Sequence, residues 1–124
     1  WGIQWDIACD FISKKGEQKS ITNSTTWGNY PDSTGNAAVM DGETKKYGSK
    51  QVTGFSEYWK ANNIYDLAGN CWEWTREANS TNHRANRGGF YRSTGSSFPA
   101  SDRNYYNASY SYDNFSSRPT LIIK

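Results

Sequence analysis

Aromatic rings have to build most of the core of this chain, because aliphatic side chains are scarce. Hydrophobic residues make up 35% of its 124 residues and aromatics alone 16%, with six Trp, nine Tyr and five Phe. Chains poor in apolar residues are often disordered, but disordered segments are poor in aromatics too. A folded chain is therefore expected. Its length allows one domain with a core that needs neither disulfides nor metal. No run approaches the roughly 18 apolar residues of a spanning helix, so no membrane insertion is expected. A formal net charge of +2 is too small to point to nucleic acid. The chain starts at Trp1, with neither an initial Met nor a signal peptide. That leaves room for it to be the C-terminal piece of a longer protein.

The aromatics fall into two groups. All six Trp lie between residues 1 and 74, whereas five of the nine Tyr lie in the last 38 residues. From Gly88 to Ile123 there is no Trp, Lys, Glu, Gln or Met, although residues 1–87 hold 22 of these five types. About nine would be expected in that stretch at the same frequency. A long polar loop explains missing Trp and Met but not missing Lys, Glu and Gln, which loops favour. A codon argument explains all five. If each adenine of AAC or AAT is replaced by any base, fifteen residue types result, and Trp, Lys, Glu, Gln, Met and stop are never among them.

Coarse structure follows from periodicity. Trp1, Trp5, Ala8 and Ile12 fall at helical spacing with Ile7 and Phe11 beside them, and Asp6, Asp10, Lys14 and Lys15 fill the other face. This predicts an amphipathic helix ended near Gly16. Residues 17–54 are rich in Gly, Ser, Thr, Asn and Lys and carry no sustained period. They read as turns pinned by Trp27, Tyr30, Val39 and Met40. Ser56 to Ala61 reads as a short helical turn. Ile64–Leu67 and Cys71–Thr75 read as short strands around an Ala68-Gly69-Asn70 turn, and Leu121-Ile122-Ile123 as a buried terminal strand. The expected class is α+β, with short strands, one or two helices and many loops.

Catalytic signatures are missing. His83 is the single histidine and sits beside the polar run Asn79-Ser80-Thr81-Asn82, which reads as a solvated loop. Cys9 and Cys71 read as two small buried hydrophobes or as one disulfide in an oxidising compartment. Zinc-type Cys/His spacing, a GxSxG elbow, a GxGxxG loop and paired carboxylates are all absent from the sequence. The sequons at Asn23, Asn79, Asn107 and Asn114 are those chance supplies in a chain this rich in Asn, Ser and Thr. No metal and no cofactor is expected.

One block is specific. Asn63-Ile64-Tyr65-Asp66-Leu67-Ala68-Gly69-Asn70-Cys71-Trp72-Glu73-Trp74-Thr75 is followed, after a spacer, by Arg87-Gly88-Gly89. Physically it suits a scaffold. Gly69 and Asn70 can take left-handed turn conformations. Trp72 and Trp74 alternate onto one strand face toward the core, and Glu73 faces the other way, free to cap backbone donors. Gly88-Gly89 allows close backbone approach. The block resembles the N-(V/I)-Y-D-(L/M)-A-G-N-V-W-E-W-T … R-G-G-S segment of the formylglycine-generating enzyme family. The helix around Trp5 and the turn Trp27-Gly28-Asn29 are similar to that family's E-W-E-Y-A helix and W-G-N turn. The resemblance implies a C-type-lectin-like fold over the single domain 1–124. Enzymes of that family carry two copper-binding cysteines shortly after R-G-G-S. Here the stretch is Phe90-Tyr91-Arg92-Ser93-Thr94-Gly95-Ser96-Ser97-Phe98, without Cys. Thiolate chemistry needs thiols, so an oxidase is disfavoured and the chain is expected not to be an enzyme.

The same block resembles the variable proteins of diversity-generating retroelements of gut phages and gut bacteria. There a reverse transcriptase writes adenine-specific errors into the 3′ end of a gene whose lectin-like product displays the randomised side chains. The resemblance implies extracellular display, on a phage virion or a bacterial surface, toward an unknown cell-surface protein or glycan. Residues 1–87 would then be scaffold, with Trp5, Trp27, Asp66, Gly69, Asn70, Trp72, Glu73, Trp74, Arg87, Gly88 and Gly89 as its fixed points. Residues 88–118 would be the variable region, punctuated by fixed Pro99-Ala100-Ser101 and Arg118-Pro119, and 119–124 the terminal strand. The binding surface would be Phe90, Tyr91, Arg92, Ser93, Ser97, Phe98, Asp102, Asn104, Tyr105, Tyr106, Tyr110, Tyr112, Asn114 and Phe115. Tyr gives rigid contact with a polar tip, while Ser and Asn give adaptable hydrogen bonds; Arg92 would supply a cation. Phe98 and Phe115 are the two most expected to serve packing instead. A rival reading is a calcium-independent glycan-binding domain, since Tyr-rich faces stack on sugars and the E-P-N and W-N-D motifs of calcium-dependent recognition are missing.

Overall fold

The computed structural model describes residues 2–34, 38–40, 43–45 and 48–119, with the backbone alone at 38–40 and 43–45. Helix α1 spans Gly2–Lys14. Among the described residues eight short strands follow: β1 (Ala38–Met40), β2 (Glu43–Lys45), β3 (Lys60–Ala61), β4 (Ile64–Tyr65), β5 (Trp72–Ala78), β6 (His83–Arg87), β7 (Arg103–Asn107) and β8 (Phe115–Ser117). β1 pairs with β2 and β3 with β4, while the main sheet runs β7-β6-β5-β8. This is a small α+β arrangement, as the composition and turn signals predicted. No described helix is long and apolar enough to cross a membrane.

α1 forms where expected and buries the expected stripe of Trp5 and Ile12, but the residues flanking that stripe differ. Trp5, Cys9 and Ile12 are buried at i, i+4 and i+7, whereas Ile3, Ile7 and Phe11 are 65%, 61% and 49% exposed. At 100° per residue those two stripes lie roughly opposite each other. Ile7 and Phe11 therefore do not join the core, and Cys9 does. Two polar anchors set the rotation. The Trp5 indole donates to the Ala100 carbonyl at 2.8 Å, and Asp6 bonds both Arg87 and Arg103. The helix ends without a left-handed Gly16. Gln18 takes that conformation (φ 54), and Gly16 is instead small where the Asn62 side chain crowds in.

The core joins Trp5, Cys9, Ile12, Trp27, Tyr30, Ala61, Leu67, Ala68 and Ala100. Three large rings in it have polar atoms, and all are satisfied, Trp5 by the Ala100 carbonyl. Trp27 donates to the Ser20 carbonyl at 2.7 Å, and the Tyr30 hydroxyl donates to the Gly88 carbonyl at 2.6 Å. Trp27 and Tyr30 are thus two of the expected anchors; Val39 and Met40 have side chains outside the described residues, as do Trp1 and Leu121-Ile122-Ile123. Two buried asparagines, Asn29 and Asn70, hold the irregular segment at 48–51. Asn29 donates to Ser49 and accepts from the Gly48 amide, while Asn70 exchanges two bonds with the Gln51 backbone. A long loop is kept in place by side-chain amides mimicking a strand partner.

The segment between β4 and β5 is not a hairpin turn. β4 pairs with β3, and β5 belongs to the main sheet. The chain between them passes beneath the Trp27-Gly28-Asn29 turn, with the Gly69 amide bonded to the Gly88 carbonyl at 2.7 Å. Gly69 and Asn70 do take left-handed backbone (φ 76 and 62), and so do Asp66 (φ 54), Gly88 and Gly89. A Cβ on Gly69 would run into the Asn29 backbone, so this close approach requires glycine. The polar run 79–82 proves to be the β5–β6 hairpin turn, and His83 is the exposed first residue of β6 with its ring Nδ1 2.9 Å from Ser80 Oγ. Cys9 and Cys71 are free thiols. Burial pushes the Cys9 thiol up to about 11.

Strand order decides where the C-terminal segment goes. β7 and β8 lie at opposite edges of the main sheet, about 14 Å apart at the usual strand spacing. The connection 108–114 must therefore cross the sheet. It carries Tyr110 and Tyr112.

Candidate ligand-binding site

That crossing encloses an open cavity of about 380 Å³ lined by Trp72, Phe90, Arg92, Tyr106, Tyr110, Tyr112, Asp113, Asn114 and Phe115. All but Trp72 come from 88–118. Cross-strand geometry brings them together. Trp72 is directly opposite Phe115 in the parallel β5–β8 ladder, so both point to one face. Tyr106 projects from β7 to the same face and meets Phe115 edge-on at 5.6 Å.

The rings form a connected set. Trp72 packs on Phe90 and Phe98, with centroids 6.1 and 5.8 Å away. Trp74 stacks on Phe115 at 4.7 Å. Tyr106, Tyr110 and Tyr112 follow one another at 5.9 and 5.8 Å, in tilted and edge-on pairs, as ring quadrupoles prefer. Trp72 is only 2% exposed, while Tyr110 and Tyr112 are 46% and 61% exposed. The cavity therefore has a rigid aromatic floor and a solvent-facing wall. Three polar residues, Arg92, Asp113 and Asn114, complete its lining. The Arg92 guanidinium lies 5.0 Å from the Tyr91 ring centroid. The Tyr91 hydroxyl donates to Asp113 at 3.1 Å, and Lys50 donates to the Asp113 carbonyl oxygen.

Half of the expected binding surface lines this cavity: Phe90, Arg92, Tyr106, Tyr110, Tyr112, Asn114 and Phe115. The other half does not. Tyr91 and Ser93 are buried, at 5% and 7% exposure. Tyr91 braces Asp113 from beneath, and Ser93 closes a turn by accepting from the Phe90 amide. Phe98 packs edge-on against Trp72, the packing role expected for it. Asn104 accepts from the Tyr105 amide. Asp102 is half-buried, and its carboxyl is raised by burial. Tyr105 faces the other side of the sheet, where its hydroxyl donates to Glu77 at 2.8 Å. Ser97 is exposed, away from the cavity. Asp113 also lines the cavity but lies outside the expected surface, although Asp is a residue the Asn codon can reach and its neighbours Tyr112 and Asn114 belong to it.

The scaffold positions hold this region from below. Asp32 accepts from the Gly95 amide at 2.7 Å and from the Ser96 hydroxyl, and Ser24 accepts from the Ala100 amide. Gly88 and Gly89 let the chain leave β6 against Leu67 and Tyr30. Glu73 is not a backbone cap. Its two oxygens accept from Arg118 Nε and Nη2 at 2.9 and 2.5 Å, a bidentate pair that ties β8 to β5.

A second cavity of about 500 Å³ is lined in part by Asp66, Asn70, Cys71 and Glu73. Asp66 is 5% exposed; one oxygen accepts from the Gly54 amide, and the other has no hydrogen-bond partner. Burial raises its carboxyl to about 6. Folding therefore favours the protonated acid. The stability this contributes is fully present below the unfolded value near 4 and is lost as pH rises through 6. Asp66→Asn removes that charge, and Asn suits the left-handed backbone better. Relative to the parent chain, the variant is expected to gain up to roughly 3 kcal/mol between pH 4 and pH 7. Melting curves at the two pH values check this; parallel shifts at both would refute it.

Among the described residues no group of three or more His, Cys, Asp or Glu could hold a metal ion. No family model, no curated protein and no solved structure matches the chain.

Proposed function

We propose that this chain is a ligand-binding display protein of the retroelement-diversified kind, on a C-type-lectin-like fold, carried outside the cell on a virion or a bacterial surface. One observation supports the reading above all. The segment whose composition obeys the Asn-codon restriction supplies eight of the nine residues around the aromatic cavity. Chain continuity brings Tyr106 to Phe115 together, but Phe90 and Arg92 join them from a separate stretch of the same segment. That convergence is expected if the segment is varied in order to change one surface.

The architecture suits variation. Side chains on a crossing loop can change with little cost to the core, because loops run over the surface. The backbone beneath is fixed by residues outside the segment, such as Asp32, Ser24 and Asn70, and by Arg118 at its end. On this reading Tyr91 and Ser93 are framework positions even though their codons permit change. The chain acts by binding, with no reaction at the site.

The DNA downstream of the gene tests the proposal. A near-copy of codons 87–118 is expected there, differing almost wholly where the copy has adenine, beside a reverse transcriptase gene. A neighbourhood without such a repeat would overturn it.

A further inference from the structure

We propose that the cavity bounded by Tyr106, Tyr110, Tyr112 and Phe115 takes a neutral saccharide of one or two rings. This names the ligand class of the surface described above and rests on that reading.

Three observations point to such a ligand. First, the wall is aromatic and open. Tyr110 and Tyr112 keep about half of their surface in solvent, side by side at the cavity mouth. Exposed rings of this kind offer flat apolar plates with a polar tip. A pyranose has the matching anatomy, with apolar C–H faces and a polar hydroxyl edge. Second, the polar residues of the cavity carry both hydrogen-bond senses and no net charge. Arg92 donates only, ionised Asp113 accepts only, and Asn114 does both. Neighbouring hydroxyls, each a donor and an acceptor, can use all three. An ionic ligand would find one charge of the cavity opposed to it. Third, about 380 Å³ lies at the small end of ligand sites, which run from roughly 300 to 1,000 Å³. That fits a compact unit better than a length of polypeptide. A proline-rich peptide would use the rings, but proline has no N–H, and Asp113 would exchange its water for no donor beyond its Tyr91 bond.

The Tyr91–Asp113 bond and the Lys50 contact hold the loop carrying both tyrosines before any ligand arrives. Less ordering is then needed on binding.

Calorimetric titration of the whole chain with cellobiose, lactose, maltose and chitobiose tests the proposal, with a proline decapeptide and sialic acid as comparisons. At least one disaccharide is expected to bind saturably. Tyr110→Ala and Tyr112→Ala are each expected to weaken it by about tenfold while leaving the melting temperature unchanged. Binding of none of the four disaccharides, binding of the peptide or sialic acid alone, or unchanged affinity in both variants would overturn it. The DNA test separates the two ideas. A downstream repeat without saccharide binding overturns this inference alone. Saccharide binding without a repeat overturns the display reading and leaves a sugar site of fixed sequence.

Discussion

Trp72→Ala is expected to destabilise the protein by about 3–5 kcal/mol. For a chain of this length that is a fall of roughly 10–20 °C in melting temperature. The indole is 2% exposed and packs on both Phe90 and Phe98. Its strand lies inside the main sheet, with its amide bonded to the Asn114 carbonyl at 2.8 Å. Neighbours pinned by backbone bonds on two sides cannot collapse into the space left behind, so most of the cavity cost is retained. The same substitution removes the floor of the ligand cavity, and binding is expected to vanish with it. Tyr110→Ala provides the contrast. Its ring touches Tyr106 and Tyr112 at the surface, and its loss is expected to stay within about 0.5 kcal/mol. Thermal unfolding of the two variants side by side decides the matter. A tolerated Trp72→Ala beside an unfolded Tyr110→Ala would mean that the proposed ligand surface and the core have been exchanged.

What could be read from the sequence depended on whether a local cause was enough. Gly69 and Asn70 were legible because a left-handed backbone restricts residue choice at the position itself. The extent of α1 and its Trp5–Ile12 stripe were legible from its period, but which residues flank that stripe into the core was not. Counting apolar residues ranks Phe11 and Ile7 above Cys9, and nothing local reveals that Asp6 must reach Arg87. β6 and β7, with the sequences HRANR and RNYYN, carry no apolar alternation. They are strands because β5 offers β6 a partner and β6 offers one to β7, a pairing that exists only in three dimensions. The site follows the same division. The codon pattern marks which residue types the segment admits, not which way they point. Tyr105 and Tyr106 are adjacent and equally permitted by codon, yet strand alternation sends one to Glu77 and the other to the cavity. Tyr91 shows the limit most sharply, since it belongs to the permitted set by composition and to the framework by burial.

The second large effect is expected at the ion pair that orients α1. Arg87 has a side chain that is 2% exposed, and its Nη2 reaches Asp6 at 2.5 Å. Its Nε and Nη1 have no hydrogen-bond partner. Burial already lowers its pKa, with Asp6 the first opposing influence. Asp6→Ala would leave a buried guanidinium without its hydrogen-bonded carboxylate, with only the more distant charge of Glu77 and Asp102 to oppose it, a loss expected to cost about 3 kcal/mol. Arg103 would lose one of its two carboxylates at the same time, keeping Glu77. The reverse change should be milder. After Arg87→Met the remaining Asp6 is 40% exposed and still paired with Arg103, and an apolar chain of similar length fills the buried space. The double variant Asp6→Ala/Arg87→Met should therefore be more stable than Asp6→Ala alone, because it removes the stranded charge. Chemical denaturation of the three variants measures the coupling directly. If Arg87→Met proved the more damaging single change, the pair would owe its value to shape rather than to charge, and the rotation of α1 would need another cause.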